Sequence, residues 1–520
     1  METGGAKLAV DFSLRHGSDG PAEARFVPAW LRDRTRGEGR WHAELMLGGD
    51  DERSPLRLSS SLAGVRLDLP GRLGKADSEA TELVIDVYAP AERELALDLR
   101  LGERLGGVVR LQQVDGEWVE RATALNIGSA ELPAPQAGVR RITGNIGAVN
   151  ARAVQRLSER WYVQGDALPL AIDELQVERL AWGDYSVSDF RFSHRGREGG
   201  SDLVLGGEGA RGTIAWDRQG RGELRAVLDR LRLGYQPADD APAGEPADPN
   251  ALPTVDLRIA DLAVNGTPFG RLDAQTARLE DGQRLAVFSL QGNGLQLNAD
   301  GQWWRQNARS GAELALRADF RNVDRVLTAL GYARSLEADR ARITGDFRWS
   351  PSEDGVQWAQ ARGKLNLSVD DGTLRAVEPG AGRVLGLVNF YTLPRRLSFN
   401  FKDVLGQGLA FDRISGDFQL AEGQAHTTNL TVDAPSLRME TRGRIGLADR
   451  DYDQRVTVYP DVSSGVTLAS ALLGGPAVGA LVLLAQEILD KPLDQATQLS
   501  YRLSGSWENP KVTRIGGGDD

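Results

Sequence analysis

Residues 295–299 read LQLNA and residues 314–320 read LALRADF. Leu295, Leu297 and Ala299 alternate with polar residues in the first, and Leu314, Leu316, Ala318 and Phe320 do so in the second. Successive side chains of a strand point to opposite faces, so a period of two predicts strands with one apolar face. The pattern returns at Leu365, Leu367 and Val369, at Leu397, Phe399 and Phe401, and at Leu499, Tyr501 and Leu503. Asp115-Gly116, Asp281-Gly282, Asp354-Gly355 and Asp371-Gly372 punctuate the runs and predict tight turns, because glycine accepts positive φ at little cost. The expected fold is mainly β with a few helices, built on a long, elongated antiparallel sheet.

A second recurrence is glycine followed two residues later by a bulky residue: Gly212/Ile214, Gly301/Trp303, Gly345/Phe347, Gly416/Phe418, Gly443/Ile445 and Gly505/Trp507. Glycine inside a strand marks a bulge or bend, so the sheet is expected to curve. One-sided strands need a cover for their apolar face. Helical patterns are few: 151–161, 322–332 with Val323, Val326, Leu327 and Leu330 on one face, 382–391 and 462–489. Either two sheets close on each other as a sandwich, or one sheet curls and leaves a groove.

At 520 residues the chain exceeds one ordinary core, which stops growing near ~250–300 residues. The expected division is a β-rich segment over 1–236 with one short helix, a proline- and acid-rich linker over 237–254, and a second β-rich region over 255–520. The net charge of −11, with basic and acidic residues interspersed, argues against nucleic-acid binding. No cysteine is present, which excludes disulfides and thiolate metal sites. His16, His42, His194 and His426 lack partners at metal-ligand spacing, and neither metal nor cofactor is expected. Asp50-Asp51, Asp239-Asp240 and Asp370-Asp371 read as solvated turn or linker chemistry. Residues 379–382 (PGAG) before a helix lack the lysine of a phosphate loop. Nothing in these patterns supports catalysis. The first residues show no signal peptide and enter alternation at Leu8, Val10 and Phe12, which suggests a piece cut from a longer chain.

Residues 462–486, VSSGVTLASALLGGPAVGALVLLAQ, carry no charge. The length suffices for a bilayer core, which takes roughly 20 apolar residues, but Gly474, Gly475, Pro476 and Gly479 interrupt it. The expectation is therefore an interfacial helix or a plug for the sheet, presenting Leu468, Leu472, Leu473, Val478, Leu481, Val482, Leu484 and Ile488.

Residues 343–349 (ITGDFRW), 371–390 (DGTLRAVEPGAGRVLGLVNF), 393–401 (LPRRLSFNF), 411–418 (FDRISGDF), 453–458 (DQRVTV) and 501–510 (YRLSGSWENP), together with the apolar segment, resemble in order and spacing the C-terminal region of the AsmA-like family, in its long YhdP-type branch. The first 300 residues share only the looser strand pattern. The resemblance, which extends to TamB-type bridge proteins, implies a periplasmic bridge of the Gram-negative cell envelope, anchored in the inner membrane by an N-terminal helix that this sequence lacks. It also implies a curved sheet, the β-taco, whose apolar groove moves phospholipids towards the outer membrane in outer-membrane biogenesis. On that reading the groove is lined by Leu295, Leu297, Leu314, Leu316, Leu365, Leu367, Phe399, Phe401, Val456 and Val458, and the C-terminal end meets a membrane surface. The alternative is a periplasmic assembly factor that adds strands to outer-membrane proteins at an open sheet edge; an enzyme on envelope glycans would need a convergent polar pocket that the sequence does not offer.

Overall fold

The computed structural model describes residues 6–16, 33–47, 56–154, 168–236, 248–306, 309–329, 336–352, 355–356, 361–374, 409–435, 437–460, 498–507 and 510–515. They are mainly β. The chain forms two compact units, residues 1–219 with 227–232 and residues 220–226 with 233–520.

In the first unit, strands Ala6–His16, Thr35–Leu47, Leu56–Ser60, Leu83–Tyr88, Glu94–Leu101, Leu105–Val114 and Glu117–Ile127 pair antiparallel in turn. Asp115 and Gly116, both at positive φ, make the tight turn expected between two of them. Strand Arg140–Asn150 departs from the antiparallel expectation: it runs parallel both to Glu117–Ile127 and to Leu170–Trp182. Parallel neighbours need a crossover of a dozen or so residues, which 128–139 and 151–169 supply. Of the expected helix over 151–161, residues 151–154 are helical and the remainder lies outside the described residues.

The second unit contains a ladder of strands numbered here β1 (Thr254–Val264), β2 (Thr267–Arg278), β3 (Gly282–Gly292), β4 (Leu295–Gln306), β5 (Arg309–Arg321), β6 (Leu336–Trp349), β7 (Arg362–Leu374), β8 (Leu409–Ala421), β9 (Gln424–Ala434), β10 (Leu437–Gly446), β11 (Asp451–Pro460), β12 (Leu499–Ser506) and β13 (Pro510–Ile515). Each pairs antiparallel with the next. Helix α1 (Val323–Ala329) follows β5 and packs Val323 and Leu327 against the sheet beside Ala338 and Ala341. Residues 382–391 and 462–489 lie outside the described residues. So does 237–247 of the expected linker; residues 249–253, by contrast, are held by Gln283, whose Nε2 donates to the carbonyls of Pro249, Leu252 and Pro253 at 2.9–3.2 Å.

Asp371-Gly372 does not turn. Both lie inside β7, where a Cβ on Gly372 would meet the Glu337 carbonyl at 2.4 Å and the Phe411 ring at 2.5 Å. The glycine is there for close approach. The other recurrent glycines of this unit, Gly301, Gly345, Gly416, Gly443 and Gly505, pair with Leu314, Leu316, Leu367, Gln454 and Tyr452 respectively, so all five stand on one face, on alternate strands. Gly443 has φ +134°, and a Cβ there would reach the Asp453 carbonyl at 2.3 Å and Gln454 Cα at 2.7 Å. Gly443→Ala is therefore expected to cost about 1–3 kcal/mol of stability. Gly116→Ala, at φ +88° with open space around it, carries the backbone strain alone and should cost about 1 kcal/mol. Equal shifts in chemical-denaturation midpoint for the two variants would show that the close approach at Gly443 contributes nothing.

Candidate functional site

Paired residues of an antiparallel ladder share a face. One row runs Leu297–Ala318–Ile343–Leu367–Gly416, and the next runs Ala299–Leu316–Gly345–Leu365–Phe418. A third runs Val369–Ile414–Val432–Met439–Val458–Leu499, with Val456 opposite Tyr501 beside it. Leu295, Leu297, Leu314, Leu316, Leu365, Leu367, Val456 and Val458 thus all stand on one face of β4–β12. Phe399, Phe401 and the eight apolar residues from Leu468 to Ile488 lie outside the described residues.

Cover over this face is uneven. Val369, Phe411, Val432, Met439, Val456, Val458, Leu499 and Tyr501 form a buried cluster, and Phe418, Leu420, Ala425, Ile445, Tyr452 and Leu503 form a second. Leu367 packs against both. Leu297, Leu314, Leu316 and Leu365 are only half-buried. The opposite face is polar and laced by cross-strand ion pairs: Arg342–Asp319 at 2.6 Å, Arg413–Asp370 at 2.7 Å and Arg502–Asp453 at 3.0 Å.

The first unit repeats this division with residues absent from the sequence-based lining set. Leu8–Leu45–Leu56–Val87–Leu97–Val109 is one row, and Val10–Ala43–Leu58–Ile85–Leu99–Gly107 is its neighbour. Leu56, Leu58, Ile85, Val87, Leu97, Leu99 and Val109 are half-buried, while Leu8 and Val10 are 55% and 51% exposed. Alternation in LRLSS, LVIDVY and ELALDLRL carried the signal.

Convergent chemistry is missing among the described residues. No group of three or more histidine or acidic residues could hold a metal there. His42 Nδ1 lies 2.7 Å from Asp11 and its Nε2 lies 3.0 Å from Glu44. His194 is buried with Nδ1 unpartnered, and burial pushes its imidazole below the ordinary range. His426 is exposed on β9. Asp370 and Asp371 are ion-paired with Arg413 and Arg340. A concavity of about 830 Å³ on the polar face includes Asn298, Asp300, Arg317, Asp346, Lys364 and Asp417 in its lining. Its Asp417 is held below the usual carboxylate range by hydrogen bonds from Asn366 and Asn429, both at 2.7 Å. No helix of the described residues is long and apolar enough to cross a membrane.

The family model described as YhdP protein matches residues 6–512. The chain is similar to the intermembrane phospholipid transporter YhdP of Escherichia coli (strain K12), 24% identical over 287 residues, which is 55% of this chain and 23% of the relative. The match thus spans about a quarter of the relative's length. No solved structure matches the chain.

The His42 cluster offers a test by pH. Hydrogen bonds to Asp11, then to Glu44, raise the pKa of His42 above its ordinary value. A raised folded pKa stabilises fully below the unfolded value, about 6.5, and the contribution is lost as pH rises through the folded value. Amide exchange in strand Ala6–His16, corrected for intrinsic rate, should quicken relative to the rest of the unit as pH rises above about 6.5, and His42→Gln should remove that dependence. A wild-type profile as flat as the variant's would mean that the cluster does not hold the strand.

Proposed function

Because the chain belongs to the YhdP protein family, we propose that it is a stretch of a bridge that carries phospholipid between the two membranes of a Gram-negative envelope. Acyl chains lie on the apolar face, and head groups stay in water. The observation that supports this reading most is the face itself: rows of leucine and valine remain half-covered in each unit, while charges and ion pairs keep to the other side. Each methylene removed from water contributes about 0.8 kcal/mol, so a diacyl lipid is held by area and needs no head-group site. The setting is the periplasm, transport runs from inner to outer membrane, and the full-length protein is anchored in the inner membrane. The relative is named as a transporter, which does not favour strand addition to outer-membrane proteins.

In this reading residues 462–489 contact a membrane surface, the outer one, or plug the end of the groove. Val458 of β11 pairs with Leu499 of β12. A single bilayer span between them would set these neighbours on opposite sides of a membrane, so the segment must return to the side it left.

Leu316 and Leu367 are both half-buried, but Leu367 packs against both clusters, so the two sites respond differently to charge. Leu316→Arg should preserve the circular dichroism spectrum and melting temperature while lowering lipid photocrosslinking several-fold. Leu367→Arg sets a charge between the two clusters and should destabilise the unit by about 1–3 kcal/mol. Undiminished crosslinking in folded Leu316→Arg, with no phospholipid co-purifying by mass spectrometry, would sink the track. For the apolar segment, aspartates at Leu481 and Leu484 should weaken liposome binding at unchanged melting temperature. Loss of folding instead would make it a plug and remove the membrane contact.

A further inference from the structure

The apolar face of the second unit ends, at one edge, on a row of different character. Arg278 of β2 pairs with Gln283 of β3, Gln283 with Trp303 of β4, and Trp303 with Ala312 of β5. The row shares the face of the leucine rows, because Gln283 and Trp303 stand two residues from Leu285 and Gly301, which pair with each other. It lies at the strand ends, beside the return 279–281. The next row inward, Leu285–Gly301–Leu314–Phe347, is apolar.

A carboxamide on an apolar face needs a reason, and residues 248–253 supply it. Gln283 is 7% exposed, and its Nε2 donates to the carbonyls of Pro249 at 3.1 Å, Leu252 at 2.9 Å and Pro253 at 3.2 Å. Arg278 Nη2 donates to the same Leu252 carbonyl at 3.2 Å. The segment is a turn closed on itself: the Asp248 carbonyl accepts the Ala251 N–H at 3.0 Å, and Asp248 Oδ1 accepts the Asn250 N–H at 2.9 Å. It rests on the row as a strap. Pro249 is fully buried, but Ala251 and Leu252 are exposed, so polar bonds hold the strap more than apolar burial does. Two features weaken that hold. The two protons of a carboxamide cannot fully serve three carbonyls. The two cross-strand neighbours of Gln283 each keep a shielded donor with no acceptor among the described residues, Arg278 Nη1 and Trp303 Nε1. A shielded, unpartnered N–H costs stability, and the cost is recovered when the strap lifts and water reaches the row. A segment with few apolar contacts and such anchors belongs to the part of a fold that opens locally.

We propose that residues 248–253 are a strap that shuts one edge of the apolar face, latched by Gln283, and that it lifts to admit the acyl chains of a phospholipid to the Leu285 row behind it. The inference rests on the phospholipid-track reading and adds to it a place of lateral entry and the device that controls it.

The test ties the strap down. The chain has no cysteine, so Leu252→Cys/Arg278→Cys can be joined by a bismaleimide with a reducible spacer. A photocrosslinking residue replaces Leu285, and the protein meets vesicles of phosphatidylethanolamine and phosphatidylglycerol. The tether should lower the yield of lipid adduct at position 285 several-fold, and reduction of the spacer should restore it. Without the tether, Gln283→Leu should raise the yield about fivefold, the scale of one lost hydrogen bond. A yield that the tether leaves unchanged would overturn the strap and leave the track standing. Adducts from a photocrosslinker at Leu316, with none from Leu285 in any untethered form, would do the same. A folded Gln283→Leu variant with the wild-type yield would overturn the latch. No adduct at either position would overturn the track itself. The tethered and reduced forms are one molecule, so their comparison decides even if Gln283→Leu fails to fold.

Discussion

Register is the constraint on which the second unit depends. With a side-chain period of two, a slip of one residue moves a strand's whole apolar set to the other face. From β4 to β12 the apolar rows stay aligned, and they do so through a break in period. On β9 the inward residues are Ala425 and Thr427, then Leu430 and Val432, so the parity changes from odd to even. An irregularity at Thr428-Asn429 absorbs the extra residue, as a β-bulge does. Backbone groups at the bulge are met by side chains: Asn429 Oδ1 accepts the Asp417 N–H at 2.9 Å and Thr427 Oγ1 accepts the Asn429 N–H at 3.4 Å, while Asn429 Nδ2 donates to the Asp417 carboxylate at 2.7 Å. Without that repair Leu430 and Val432 would turn outward and the face would end at β8.

The two faces contribute unequally. Exposed ion pairs such as Arg342–Asp319 and Arg502–Asp453 are each worth roughly 0–1 kcal/mol. Full burial of a valine, leucine or tyrosine of the Val458 and Tyr501 kind is worth about 1.5–3 kcal/mol. Stability is therefore concentrated where the face is covered, on β7–β12. On β4–β6, and on the corresponding strands of the first unit, side chains such as Leu316, Leu56 and Ile85 keep part of their apolar area in water. Covering that residual area would release further free energy, and the same alternation that orders the strands leaves it uncovered.

The sequence disclosed the strands wherever alternation was unbroken, as in Leu295 to Ala299 or Leu314 to Phe320, and in those runs it also disclosed which residues share a face. It disclosed less where tertiary context decides. Strand Arg140–Asn150 pairs parallel on both sides, which no local pattern announces. Asp371-Gly372 has the composition of a turn, yet its glycine answers the Phe411 ring from a neighbouring strand. The parity change on β9 defeats counting by twos, so Thr427 and Leu430 could not be placed together from sequence. Half-cover of Leu56, Leu58, Ile85 and Leu97 is equally illegible, because alternation gives a face and says nothing about what lies over it.

Connectivity assigns the two ends of the ladder different roles. At one end two returns are short, 422–423 between β8 and β9 and 447–450 between β10 and β11, and the longer 350–361 joins β6 to β7. At the other, pairings of Leu374 with Leu409 and of Val458 with Leu499 mark where 375–408 and 461–497 leave and rejoin the sheet, beside the point where α1 is inserted between β5 and β6. Neighbouring strands lie about 4.8 Å apart, so each excursion departs and returns through nearly the same point. The two long excursions, 375–408 and 461–497 with its uncharged stretch 462–486, are thus tethered to one end. The opposite end carries, besides its short returns, the connection 350–361 with Val356 and Trp358, so the two ends differ in how much apolar sequence each holds beside the sheet.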